Sequence, residues 1–208
     1  MVASVEPGVG IGVESDGRPV PAEPRLRIRL LGPLEIRRGG ALVPLPASRK
    51  VRALLAFLCL SPRDVPRSRL CELLWDVPND PRGELRWCLS KLRRLVDDPD
   101  RPRVLTRDDA VRLDLAGCHV DALEVQRGMS GGAGALAIAD AAALSLLFAG
   151  DLLESLEAET IPAFAAWLAM QRRRFRSAQL ALLERLATQG DEERSTAYLE
   201  RWIELAPF

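Results

Sequence analysis

Between Arg25 and Gly40 the chain alternates. Leu26, Ile28 and Leu30 share one face of an extended segment, and Arg25, Arg27 and Arg29 share the other. Gly32 and Pro33 interrupt the pattern, Leu34 and Ile36 resume it, Gly39 and Gly40 turn the chain, and ALVPLP follows. A period of two punctuated by turn residues predicts three short antiparallel strands. The period then changes. In SRKVRALLAFLCL, the positions Val51, Leu54, Leu55 and Leu58 recur at helical spacing, with Ser48 as the N-cap and Ser61 and Pro62 as the stop. VPRSRLCELLW predicts a second helix. Pro66 lies near its first turn, Leu70, Leu73 and Leu74 face inward, and Trp75-Asp76-Val77-Pro78 ends it.

DPRGELRWCLSKLRRLV, from Asp80 to Val96, predicts a third helix capped by Asp80, with Pro81 at its first position. At about 100° per residue, Leu85, Cys88, Leu89, Leu92, Leu95 and Val96 gather in one sector. Arg86, Trp87, Ser90, Lys91 and Arg94 lie opposite, with Arg82 and Arg93 on the shoulder beside Arg86. A face kept polar only for solubility usually mixes Glu with Lys, whereas this one is nearly all arginine around an outward tryptophan. RVLTRDDAVRLDL predicts a β-hairpin turning at Asp108 and Asp109, with Arg107 near its tip. Beyond residue 116 the pattern is helical: 119–129, 133–148, 161–189 and 192–205, broken at Gly131, Gly132 and Gly134. Phe175, Leu180, Leu183 and Leu186 form an apolar stripe, and the helices flanking Gly190 and Asp191 read as a tetratricopeptide-like pair.

Charge divides the chain the same way. The net charge of zero conceals 19 Lys+Arg against 9 Asp+Glu over residues 25–107, and 9 against 16 over 108–208. A basic module joined to an acidic one is the footprint of a part that meets a polyanion and a part that does not. The leader, residues 1–24, is rich in Gly, Pro and acids; it lacks the basic and apolar regions of a signal peptide and reads as disordered. No apolar run reaches the roughly 20 residues that span a bilayer. Cys59, Cys71, Cys88 and Cys118 show no C-x-x-C spacing and read as buried free thiols of a cytoplasmic protein. His119, the single histidine, stands in no nucleophile pattern, and no phosphate-cradling glycine loop is present. No catalytic activity, cofactor or metal is expected. The acids of LLESLEAET read as caps and solvated groups. QRRRFR is open to two readings, a second nucleic-acid patch or, the preferred one, arginines that snorkel along a domain interface or pair with the acids of 151–159.

The fold class expected is mostly α with a small antiparallel β part: a winged helix-turn-helix domain over 25–115 and an all-helical domain over 116–208. In a winged helix the third helix enters the DNA major groove and the hairpin touches the flank. Guanidinium groups suit both guanine edges and phosphates.

SRKVRALLAFLCL, SRLCELLW, RWCLSKLRRLV and VLTRDDAVRLDL resemble the OmpR/PhoB-type winged helix of SARP-type bacterial regulators. FAGDLLESLEAETIPAFAAWLAMQRRRFRSAQLALLERLATQGD resembles the tetratricopeptide-like bacterial transcriptional activator domain that follows it in that family. The resemblance covers about residues 25–208. It implies base contacts at Arg86, Trp87, Ser90 and Lys91, to which Arg82 on the shoulder is joined. It implies phosphate contacts at Arg67, Arg69, Trp75, Arg93 and Arg94, and a wing contact at Arg107. The chain is expected to be a transcriptional activator, and the apolar faces of its final helices, left without a successor, predict contact with RNA polymerase, with a second copy as a homodimer on direct repeats or with a downstream sensory domain. Two residues depart from the family pattern: Pro66, where Ser or Thr commonly caps the second helix, and Trp87, where a smaller aliphatic residue is common. The uncovered final helix pair reads as a short member or a fragment of a longer regulator. Two rival readings are a protein-binding helical scaffold and the N-terminal regulatory part of a larger signalling enzyme.

Overall fold

The computed structural model describes residues 24–76, 80–156, 161–189 and 192–206. The leader up to residue 23, Val77 and Pro78 of the second helix's stop, the acids at 157 and 159, and the Gly190-Asp191 turn lie outside the described residues. β1 (Leu26–Arg29) and β2 (Glu35–Arg38) pair antiparallel with Ile28 opposite Ile36, and β3 (Ala41–Leu42) adds to β2. Alternation buries Leu26, Ile28 and Ile36 and leaves the arginines on the outer face. α1 (Arg49–Cys59) begins at Ser48, whose hydroxyl oxygen accepts from Val51 N at 3.4 Å.

β4 (Val65–Pro66) leads directly into α2 (Arg67–Leu74). Pro66 cannot cap with a side chain. Instead the wing serves this helix start: Arg67 N donates to Asp109 O at 2.7 Å. α3 (Pro81–Val96) is capped by Asp80, whose carboxylate accepts from Gly83 N at 2.8 Å, and it buries all six residues of the apolar sector. β5 (Val104–Arg107) and β6 (Ala110–Leu113) form the wing, and β4 completes its sheet in the order β4-β6-β5.

Helical periodicity at 119–129 starts one element too early. Cys118–Val120 form β7, paired parallel with β1, and α4 (Asp121–Gly128) follows. The free edge of β1 takes up backbone that local spacing alone would make helical. The helix expected at 133–148 shrinks to α5 (Ile138–Ser145), preceded by 3₁₀ turns at Met129–Gly131 and Ala133–Ala135. Gly132 at φ 81° marks the break. α6 (Pro162–Gln189) is one long helix that packs against α7 (Glu192–Leu205), the expected helix pair. The molecule is thus a winged helix-turn-helix joined to helices.

α6 has no single apolar stripe because its two halves meet different neighbours. Phe164, Leu168 and Phe175 join the core of the winged part, while Leu182 and Leu186 cluster with Ala141 of α5 and Tyr198 of α7. Trp167 packs tilted on Phe57 of α1, ring centroids 5.1 Å apart. One core therefore runs from β1 through α1–α3 into α6.

Two polar joints hold this arrangement. Asp121, 3 % exposed, accepts from Leu30 N at 2.8 and 3.0 Å, from Leu31 N at 2.9 Å and from its neighbour Ala122 N at 2.7 Å. Burial pushes its carboxyl pKa up against these N–H groups, which favour the charged form. The Gly150–Glu154 stretch docks beside the same strand end: Gly32 N donates to Asp151 O at 3.0 Å and Leu153 N to Leu30 O at 2.8 Å. Gly32 is needed here, since it sits at φ 118° and an added Cβ would lie 3.1 Å from Ala149 Cβ. The QRRRFR arginines secure that stretch. Arg172 donates to Leu152 O at 2.9 Å and Leu153 O at 2.8 Å, and Arg176 bridges both oxygens of Asp151 at 2.7 Å. Of the two readings of that run, the structure has interface pairing; Arg173 and Arg174 remain exposed.

All four cysteines are free thiols, Cys59 and Cys88 buried, Cys71 and Cys118 half-buried. Burial pushes the Cys88 thiol up to about 11, so it stays protonated. Among the described residues no helix is long and apolar enough to cross a membrane, and no cluster of ligating side chains could hold a metal.

Candidate nucleic-acid interface

α3 is amphipathic by arithmetic: its buried sector consumes the apolar residues, and the remaining positions must face out. Arg82, Arg86, Trp87, Ser90 and Arg94 are exposed, and Lys91 and Arg93 are partly exposed. Residues 82, 86, 90 and 94 recur every four positions and form one ridge along the helix; residues 87 and 91 form the next. The five base-contact candidates therefore lie together on one face, with Arg94 and Arg93 at its C-terminal end.

Trp87 is 50 % exposed, and the Lys91 ammonium sits over its ring, 5.4 Å from the centroid. Such a contact holds the indole against its own helix without burying it. Ser90 donates its hydroxyl proton to Trp87 O at 2.9 Å, leaving its oxygen free to accept. Arg86 has a loose partner, Asp80 at 3.9 Å, with both side chains well exposed. Pairs of that kind contribute at most about 1 kcal/mol and exchange readily for a phosphate or base edge. Arg82, Arg93, Arg94 and Arg107 form no ion pair among the described residues. Arg107 is exposed at the end of β5, beside the Asp108-Asp109 turn. Arg67 and Arg69 stand on α2; Arg69 is loosely paired with Glu72 at 3.6 Å.

Trp75 is placed differently from the other expected contacts. It is 8 % exposed, and its only donor, Nε1–H, goes to Glu84 Oε2 at 3.0 Å. Lys50 Nζ lies 3.5 Å from the same oxygen and 4.9 Å from the Trp75 ring centroid. The hydrogen bond from Trp75, then the Lys50 charge, hold the Glu84 carboxyl below its ordinary value. Trp75 thus braces the start of α3 against α1 from beneath the outer face, with its N–H already committed.

Periodicity did not disclose Lys50 or Glu84 as members of that brace. The signal for Glu84 was an acid in a helix first turn, a position favoured by the helix dipole. It also did not disclose Arg103. This side chain is 2 % exposed and donates to Asp98 at 2.8 and 3.1 Å, to Ala116 O at 3.1 Å and to Cys118 Sγ at 2.9 Å. Arg38 of β2 also pairs with Asp98. Burial pushes the Asp98 carboxyl up, but the Arg103 hydrogen bond and charge, with Arg38, outweigh it and hold the group below its ordinary value. The neighbouring Asp97 carboxylate accepts from Arg103 N at 2.8 Å and Val104 N at 3.0 Å. This clamp ties the end of α3 to the first strand of the wing, and so sets Arg107 relative to the arginine ridge.

No family model and no curated protein matches the chain. A solved structure does: Mycobacterium tuberculosis EmbR in complex with a low-affinity phosphopeptide, at 23 % identity and a TM-score of 0.62. Over the matched half of EmbR, the two chains share a fold. The match covers 85 % of this chain and 49 % of that one, so the chain spans about half the length of EmbR. At that identity the likeness concerns the path of the backbone and carries nothing about the side chains of the arginine ridge.

A fluorescence experiment checks the exposure of Trp87. With Trp75, Trp167 and Trp202 replaced by Phe, the remaining signal should be quenched by iodide or acrylamide in the free protein and shielded on addition of duplex DNA. A signal already shielded in the free protein would place the indole in a protein contact instead.

Proposed function

We propose that the chain is a sequence-specific double-stranded DNA-binding transcriptional regulator of SARP type, located in the cytoplasm and working without catalysis or a cofactor. The observation that carries this reading is the one-sided arginine face of α3, unpaired or loosely paired around an exposed tryptophan, beside a wing that presents a free Arg107. In this reading residues 25–115 hold the DNA-reading surface. Arg82, Arg86, Trp87, Ser90 and Lys91 meet base edges in the major groove. Arg67, Arg69, Arg93 and Arg94 meet phosphates, Arg107 meets the flank, and Trp75 supports α3 from below. The helical residues, 116–208, serve activation through RNA polymerase and pairing of two copies on direct repeats.

Selection from a random duplex pool followed by titration of variants tests this. Arg86→Ala should cost about 1–3 kcal/mol at one base position and relax the preference there. Arg94→Ala should weaken all sequences alike and reduce the salt slope of log K by about one unit. An unchanged base preference in Arg86→Ala would remove α3 from the groove. For the assembly role, the full chain should bind a two-repeat site at least about tenfold more tightly than a single repeat, through effective concentration. Equal affinity for both, with one copy bound to each in sedimentation, would leave the helical residues as a contact surface for another protein.

A further inference from the structure

The outer face of the N-terminal sheet carries an arrangement that DNA reading does not use. Arg27 on β1 stands in register with Arg37 on β2 and with His119 on β7. Side chains in register on neighbouring strands lie about 4.5–5.5 Å apart at Cβ, and like charges so placed repel. One acid, Glu35, serves two of the arginines: its carboxylate takes Arg29 Nη2 at 2.6 Å and Arg37 Nε at 2.6 Å. Arg27 forms no ion pair among the described residues. Arg29 Nε is buried with no hydrogen-bond partner, although a buried N–H without an acceptor is costly. His119 is drawn to Glu124, 3.2 Å away, and the Asp121 oxygens are occupied by backbone N–H groups.

Arg27, Arg29, Arg37 and His119, with the acids Glu35 and Asp121, line a cavity of about 240 Å³ between the sheet and the segment after α5. Its other wall is apolar and includes Leu146, which is 85 % exposed, and Leu147. None of the lining residues belongs to α3 or the wing.

We propose that this cavity binds a small organic anion, a phosphoryl or carboxylate group on a short apolar body. The anionic group sits among Arg27, Arg29 and Arg37, and the apolar part lies against Leu146. An anion there relieves the repulsion between Arg27 and Arg37, which stand in register, and gives the unpaired Arg27 guanidinium a partner. Carboxylate and phosphoryl oxygens both accept from guanidinium groups in paired geometry. An apolar body of about ring size lies against Leu146 and Leu147, which inorganic phosphate cannot do.

Calorimetric titration of the full chain in an amine buffer, with phenyl phosphate, benzoate, inorganic phosphate and benzyl alcohol, tests the proposal. Phenyl phosphate or benzoate should bind saturably at one site, and whichever binds more tightly identifies the anionic group. Inorganic phosphate should bind more weakly, and benzyl alcohol not at all. Arg27→Gln should weaken the organic anion by about tenfold or more, the loss of one charged hydrogen bond. Arg94→Gln, on the face proposed for DNA, should leave it unchanged. Where Arg27→Gln fails to fold, judged by its thermal melt, Leu146→Glu decides, since it places a repelling charge at an exposed position. No saturable binding would overturn the proposal, as would equal binding in the Arg27 and Leu146 variants. Loss in Arg94→Gln would show that the α3 face takes the anion, which also overturns it.

Discussion

Asp121→Ala should destabilise the protein by about 3–5 kcal/mol in urea unfolding, because it removes the acceptor of three buried N–H groups, those of Leu30, Leu31 and Ala122. Leu30 and Leu31 are fully buried, and the Asp121 carboxylate is the acceptor for their N–H groups. Asp121→Asn keeps one oxygen but turns an N–H₂ group toward a donor, and should cost less than the alanine variant while remaining measurably destabilised. The joint links β1 to the start of α4, and the core on either side is continuous. Circular dichroism and tryptophan fluorescence should therefore report a single coincident transition in the native chain. An alanine variant within about 0.5 kcal/mol of the native protein would show that solvent reaches these N–H groups.

The second large effect is expected at the wing clamp. Arg103→Met leaves the Asp98 carboxylate with Arg38 alone and removes the donors that meet Ala116 O and Cys118. Breaking a buried pair from one side costs about 3–5 kcal/mol; with Arg38 still present, about 3 kcal/mol is expected. Arg103→Lys should recover little, since an ammonium cannot span the same fork of acceptors. The pH dependence has a definite sign. Asp98 is held below its ordinary carboxyl value in the folded state. The folded form thus binds its proton less tightly than the unfolded form. The clamp contributes fully above the unfolded value of about 3.9 and is lost as pH falls through the depressed folded value. The native protein should lose stability in that acid range, and Arg103→Met, lacking most of the depression, should show a shallower dependence there. An identical acid dependence in both proteins would show that Arg103 does not set Asp98. If the chain reads DNA as proposed, Arg103→Met should also lower that affinity under conditions where it remains folded, because the clamp orients the wing.

Elements whose identity depends on neighbours in sequence were legible from sequence. α1, α2 and α3 follow from apolar residues three and four apart, from Ser48 and Asp80 as caps, and from Pro81 at a first turn. The wing follows from two β-prone runs around Asp108 and Asp109. The outward set on α3 was legible for the same reason, since burying one sector of a helix exposes its complement. Of the QRRRFR arginines, only the pairing of Arg176 with Asp151 was among the readings that charge offered; the carbonyl partners of Arg172 came from the fold.

The tertiary structure decided what depends on contacts between distant residues. His119 and Val120 carry helical spacing, yet with Cys118 they form a strand because β1 has a free edge 92 residues earlier in sequence. Trp75 and Trp87 are alike in local pattern, each near an end or face of a basic helix. One is buried because Glu84 and Lys50 close over it, and the other is left open. Asp121 and Arg103 read as ordinary surface charges in a list of residues, but the fold places them where buried N–H and carboxylate groups need partners. Local periodicity determines which side of an element turns inward, because a helix or strand repeats its own geometry. Which polar groups become buried with that side, and what then satisfies them, is set only when separate elements meet, and desolvation makes those few encounters decisive for stability.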